Sequence, residues 1–157
     1  MGAALPLILS DRAQRDALLH WIERVIWTGH LTLEWHLRPN PESAAHAIRV
    51  FFCMVNRSML GRKWLQRPGS CAAWIAVPEL RYYKVPHAHI LIACNAPWDV
   101  LQTAVGGARK WWAARIGFTH YGAIRSQGRA RRYVANHFSR DTGIECSDNL
   151  NCWLDPA

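Results

Sequence analysis

Two apolar segments, residues 71–79 and 87–94, stand close together in the chain and constrain it more than any other feature. Pro68-Gly69 marks a turn before the first, Lys84-Val85-Pro86 leads into the second, and Asn95-Ala96-Pro97 ends it. Each reads as a strand, and two strands joined by a short connection are expected to pair as an antiparallel hairpin. The pair is consistent with a fold that contains an antiparallel sheet.

The other elements alternate around this hairpin. Ser10-Asp11 is a helix start signal, and Leu18, Leu19, Ile22 and Ile26 trace an apolar stripe along a helix running to about residue 27. In residues 30–37, Leu31, Leu33, Trp35 and Leu37 alternate with polar residues, the period of a half-buried strand. Arg38-Pro39-Asn40-Pro41 breaks it, and a helix is expected over 42–60, stopped by Gly61. A helix over 98–116 is weakened in its middle by Gly106-Gly107. A strand over 118–124 and an amphipathic helix over 129–140 follow, and the tail after Gly143 reads as irregular with at most one short strand. The order is an N-terminal helix, a β-α-β-β-α-β core and a last helix. It predicts one α+β domain over 1–157, an antiparallel sheet with helices packed on one face.

Charge narrows the partners. The formal net charge is +8 and the isoelectric point is near 9.8, which favours a polyanion, most simply nucleic acid. The cations cluster: Arg125, Arg129, Arg131, Arg132 and Arg140 in one segment, Arg57, Arg62, Lys63 and Arg67 in another. Five cysteines include no CxxC pair, which excludes a zinc ribbon, and nothing in their spacing implies a disulfide framework. The thiols are expected to be free and mostly buried. No apolar run reaches the roughly 18 residues that span a bilayer. Ala3 to Leu9 is too short, and lacks the basic leader, for a signal peptide. The expectation is a soluble cytoplasmic protein without a membrane partner.

The chemistry concentrates in Pro86-His87-Ala88-His89-Ile90-Leu91-Ile92. Residues two apart on a strand project from one face, so His87 and His89 point together and suit a shared divalent ion. Glu79, eight residues before His87 and across the expected hairpin, is a candidate third ligand. In the last helix Tyr133, Asn136, His137 and Arg140 share a face. A tyrosine beside arginines and a metal is a candidate nucleophile, because nearby positive charge stabilises phenolate. Histidine-triad hydrolases need a third alternating histidine where Leu91 stands. Two-histidine phosphoesterases need two His-x-Ser/Thr motifs, which are absent.

This ordered set resembles the HUH endonucleases, above all the rolling-circle replication initiators of small plasmids and phages. The motifs are Ile75-Ala76-Val77-Pro78-Glu79, His87-Ala88-His89-Ile90-Leu91-Ile92 and Tyr133-Val134-Ala135-Asn136-His137, together with Val55-Asn56-Arg57 and Gly61-Arg62-Lys63-Trp64 as a basic segment. The likeness covers residues 30–140. It implies a nickase in which Mg²⁺ or Mn²⁺, held by His87, His89 and Glu79, polarises a phosphate that Tyr133 attacks. A 5′-phosphotyrosine and a free 3′-hydroxyl result. Initiators often read Tyr-Val-Ala-Lys-Tyr with a second lysine beyond. Here Asn136 takes the first lysine position, His137 that of the second tyrosine and Arg140 that of the second lysine. A single nucleophile follows, with Arg132 or Arg140 as the cations available to replace the lysine. In single-tyrosine transposases of the same superfamily a metal-binding polar residue lies four positions after the tyrosine, and His137 occupies that place as an alternative third ligand.

The expected substrate is single-stranded or hairpin DNA, gripped by Arg57, Arg62, Lys63, Arg125, Arg129, Arg131, Arg132 and Arg140. The setting is initiation of plasmid or phage replication, with a helicase supplied in trans. The alternatives are a single-tyrosine transposase and a non-catalytic DNA-binding protein that keeps the fold.

Overall fold

The computed structural model describes residues 11–80, 85–138 and 143–154. Its elements are α1 (Asp11–Ile22), β1 (Gly29–Glu34), α2 (Pro41–Leu60), β2 (Ala73–Glu79), β3 (His87–Ala93), α3 (Trp98–Arg115), β4 (Thr119–Ala123), α4 (Gln127–His137), β5 (Glu145–Cys146) and α5 (Asn151–Leu154). Two 3-10 turns, Trp64–Gln66 and Pro68–Ser70, join α2 to β2. The five strands form one sheet in the order β4-β1-β3-β2-β5, and every pairing is antiparallel. The β2–β3 hairpin pairs Glu79 with His87 and Val77 with His89.

Helices cover both faces of this sheet, which corrects the expectation of one. On one face α2 and α3 contribute Ile48, Phe51, Phe52, Leu101, Val105 and Trp112 to a core that includes Leu31, Leu33, Trp74, Ile90 and Ile92. On the other, Leu18 and Ile22 of α1 and Val134 and Ala135 of α4 meet Ile75, Val77 and Leu91. All seven residues of β2 are buried, because its alternate side chains enter two different cores. An unbroken apolar run such as Trp74-Ile75-Ala76-Val77 is how a strand covered on both sides reads.

Local signals set most of the boundaries. The Asn40 side chain accepts from Ser43 N at 2.7 Å and caps α2, and Gly61 ends it with φ of 77°, a conformation that favours glycine. Ser126 caps α4 by accepting from Arg129 N. Gly106-Gly107 does not interrupt α3, since the flanking Val105 and Ala108 are buried against the sheet. Gly117 is required by close approach: a Cβ there would lie 1.9 Å from the Glu34 carbonyl oxygen.

Four expectations shift, the first being that the tail after Gly143, read as irregular with a short strand, also carries the helix α5. The first helix stops at Ile22 rather than near residue 27. Trp27 instead turns into the core, its indole donating to Ile22 O at 2.8 Å, while its backbone exchanges hydrogen bonds with the Gln127 side chain. β1 ends at Glu34, so Leu37 is exposed rather than part of the alternating apolar face. All five cysteines are free, but only Cys71 and Cys94 are buried. The expected end of the last helix and Arg140 lie outside the described residues.

Candidate metal and nucleophile site

The pleat and the hairpin register build the site. His87 and His89 lie on one face of β3, and Glu79, directly opposite His87, shares that face. The face is the one that α4 crosses, packing against both β3 and β2. His137, in the last turn of α4, therefore reaches the same carboxylate from above. Glu79 and His89 are each only 4% exposed.

Glu79 is the centre. Its Oε2 lies 2.8 Å from His87 Nε2 and 3.4 Å from His89 Nε2, and its Oε1 lies 3.0 Å from His137 Nδ1. A buried carboxylate is costly unless it is paired, and here three imidazoles surround it. Ligand atoms of Glu79, His89 and His137 all lie within 4.8 Å of one another, so this group could hold a metal ion. Both third-ligand candidates, Glu79 and His137, belong to it. His87 flanks the group through Glu79 Oε2.

The donor chemistry fits a cation. His87 Nδ1 stands 2.9 Å from the Val85 carbonyl oxygen, which can only accept, so Nδ1 donates there and the ring turns Nε2 toward Glu79. Such a backbone contact fixes the tautomer of many metal-bound histidines. Among the described residues both His89 ring nitrogens have no hydrogen-bond partner, and Glu79 Oε2, although 2.8 Å from His87 Nε2, takes part in no well-directed hydrogen bond. The His89 pKa is pushed down to about 3 by burial first, then by neighbouring His137, His87 and His30. His89 is thus neutral near pH 7, with its lone pair free to ligate.

Tyr133 sits one helical turn before His137 and is 46% exposed. Its ring meets His137 at 4.6 Å and His89 at 4.9 Å between centroids, both edge-on. The structure thus brings the candidate nucleophile against two members of the group. Asn136, on the expected shared face, is exposed.

His30 belongs to no motif in the sequence, yet it joins this site. It stacks on His89 at 6.1 Å and meets Tyr133 edge-on at 5.7 Å. Its Nε2 is buried without a hydrogen-bond partner among the described residues, and burial, then His137, lower its pKa. The signal for it lies in the strand pattern: His30, Thr32 and Glu34 are the polar face of β1, and β1 pairs with β3.

The basic residues divide. Arg125, Arg129 and Arg132 are exposed at and just before α4, on the side of the site. Arg131 is partly buried and donates from Nη2 to Val25 O at 2.7 Å, tying α4 to the segment after α1. Arg57, Arg62 and Lys63 are exposed at the end of α2 and just beyond it. They belong to the helix layer on the opposite face of the sheet. Asn56, within the expected basic segment, is buried and accepts from Ala72 N at 2.8 Å. A cavity of about 500 Å³ also lies away from the site, between α2, the 3-10 turns and the β5–α5 segment, lined by Phe52, Trp64, Trp74 and Asn149 among others. Its lining holds no histidine, and the site chemistry lies elsewhere.

No described helix is long and apolar enough to cross a membrane. Comparison of the chain with protein-family models, curated proteins and solved structures finds no match in any of the three.

Proposed function

We propose that this protein is a metal-dependent endonuclease and strand transferase acting on single-stranded DNA, with Tyr133 as its nucleophile. The observation that carries the reading is the packing of a half-exposed tyrosine against His89 and His137, two residues of a buried group that could hold a metal. Glu79, His89 and His137 would hold the ion, with His87 beside them. Bound there, a divalent ion supplies Lewis-acid polarisation of a phosphate oxygen. A set rich in imidazole suits Mn²⁺ better than Mg²⁺, which prefers oxygen ligands.

The chain's own residues supply the rest. α4 carries Tyr133 at the mouth of the buried group, and exposed Arg125, Arg129 and Arg132 offer cations to the phosphate backbone. As the Tyr133 Oη–P bond forms, the P–O3′ bond breaks. The phenolic proton leaves to solvent, and the departing 3′-oxygen takes one up. The phosphotyrosine conserves the bond energy, so a 3′-hydroxyl can later reverse the step without a nucleotide cofactor.

A second setting for the same chemistry has its own support. His137 belongs to the metal group, the ligand position of single-tyrosine transposases. The initiator-like basic segment holds a buried structural Asn56 and lies on the other face. Nicking at a replication origin and cleavage at a transposon-end hairpin therefore both stand as settings.

The test is incubation with Mn²⁺ and pooled labelled single-stranded oligonucleotides, followed by a denaturing gel. The expected result is a covalent adduct that disappears with EDTA and in Tyr133→Phe, its DNA sequence separating origin from transposon end. Salt-sensitive binding with no adduct would replace the nuclease by a non-catalytic DNA-binding protein. Absence of binding as well would overturn both.

A further inference from the structure

Among the described residues, α4 packs mainly on β3 and β2 and reaches β1 through Tyr133 on His30, which leaves the Thr32–Glu34 end of β1 and β4 the more open half of this sheet face. Thr32 and Glu34 are half-buried there, and His120 is exposed. At the end of this open half stands Phe118, 62% exposed, its ring edge-on to the exposed His36 at 5.0 Å. The backbone beneath it is pinned. Phe118 O accepts from Glu34 N at 2.9 Å, His36 N donates to Ile116 O at 2.9 Å, and Gly117 presses against the Glu34 carbonyl. A large aromatic is thus held outward on a rigid strand end instead of folding into the core.

Its place relative to the metal group follows from register. Glu34 pairs with His87 on one side and bonds Phe118 on the other. Phe118 is therefore two strands from His87, about 10 Å at normal strand spacing. Among the described residues, the half-buried Glu34 side chain of β1 lies between them. An unpaired base one or two nucleotides from a phosphate at the metal group falls within that reach.

We propose that Phe118, edged by His36, is a stacking subsite for one unpaired base of a single-stranded DNA substrate. The inference rests on the nuclease reading and adds where the strand runs: from Tyr133 and His89 across Thr32 and Glu34 to the edge strand. The occupant is set by complementarity. A flat apolar ring beside an imidazole presents a π surface to a base, while exposed Arg125, Arg129 and Arg132 on the same side take the backbone charge. Stacking does not read base identity, because every base has a π face.

The experiment uses a random-sequence pool of single-stranded 20-mers with 5-iododeoxyuridine in place of thymidine. The full chain is irradiated with the pool, the cross-linked residue is mapped by mass spectrometry, and affinities are measured by anisotropy. The expected cross-link is at Phe118, and it persists in Tyr133→Phe. Phe118→Ala weakens binding about tenfold with an unchanged salt slope, and Phe118→Leu weakens it nearly as much. Phe118→Trp keeps wild-type affinity, and thermal melting confirms that each variant is folded. If the wild-type protein binds the pool with cross-links elsewhere and Phe118→Ala binds equally well, this subsite is wrong while the nuclease reading stands. If it binds no single-stranded DNA, both fall together.

Discussion

The two faces of the sheet carry the same strands into different chemistry. Facing α2 and α3, the side chains of β1, β2 and β3 are apolar along their length, and aromatic contacts such as Phe52 on Trp74 at 4.9 Å fill the space between. Facing α1 and α4, the same strands are apolar around Ile75 and Leu91 but end in Glu79, His87 and His89. One face is closed by packing alone. The other buries a carboxylate and an imidazole whose unpaired atoms suit a cation. Stability and chemistry are thus assigned to opposite sides of one sheet, and substitutions on the two sides should fail differently.

The largest effect on stability is expected from the apolar face. Phe51→Ala should lower unfolding free energy by about 3–5 kcal/mol in urea melts, with metal affinity per folded molecule unchanged. A loss of metal binding in that variant while it remains folded would break the division between faces.

The converse belongs to the polar face. His89→Ala should lower Mn²⁺ affinity by more than about 100-fold by titration calorimetry, and His87→Ala or His137→Ala by about 10- to 100-fold. Each variant is expected to stay folded by near-ultraviolet circular dichroism. Equal Mn²⁺ binding in wild type and His89→Ala would remove the metal group.

The faces should also separate on a pH scale. In the folded protein His89 has its pKa pushed down to about 3, against 6.5 unperturbed. Between these values the unfolded chain binds a proton that the folded one does not. This contribution is therefore complete above pH 6.5 and declines as the pH falls. For the metal-free protein, stability should therefore fall as the pH is lowered from 6.5 toward 5. His89→Gln should flatten the profile measured by denaturant melts, and an unaltered profile would show that His89 is not buried in its neutral form.

The smallest difference lies between adjacent arginines. Arg131→Ala removes the hydrogen bond to Val25 and should cost about 1 kcal/mol of stability. Arg132→Ala should change stability by less than about 0.5 kcal/mol but reduce the salt slope of single-stranded DNA binding by about 0.7 for each phosphate that Arg132 neutralises. The reverse pattern would exchange their roles.

Much of this arrangement is legible in the residues. The β2–β3 hairpin, the common face of His87 and His89, and the stop of α2 at Gly61 each follow from local periodicity or local backbone preference. Arg131 cannot be told from Arg132 in the sequence, because which helical face meets Val25 depends on how α4 lies over α1. His30 is hidden there too, because one histidine on a strand acquires meaning only when its neighbour strand is known. The second helical layer escapes for a related reason. Runs such as Trp74-Ile75-Ala76-Val77 report that both faces are buried, yet do not say which helices bury them.

By itself the sequence determined most of the elements and the antiparallel hairpin that carries Glu79 and His87, since these depend on interactions between residues near in the chain. Only the tertiary structure decided that α4 crosses β3 and β2, bringing His137 to Glu79 and Tyr133 to His89, and that Arg57, Arg62 and Lys63 lie across the sheet from them. The physical reason is that helix placement is set by packing of apolar surfaces far apart in the chain. Local pattern marks which surfaces must be buried, and the filled core selects their partners.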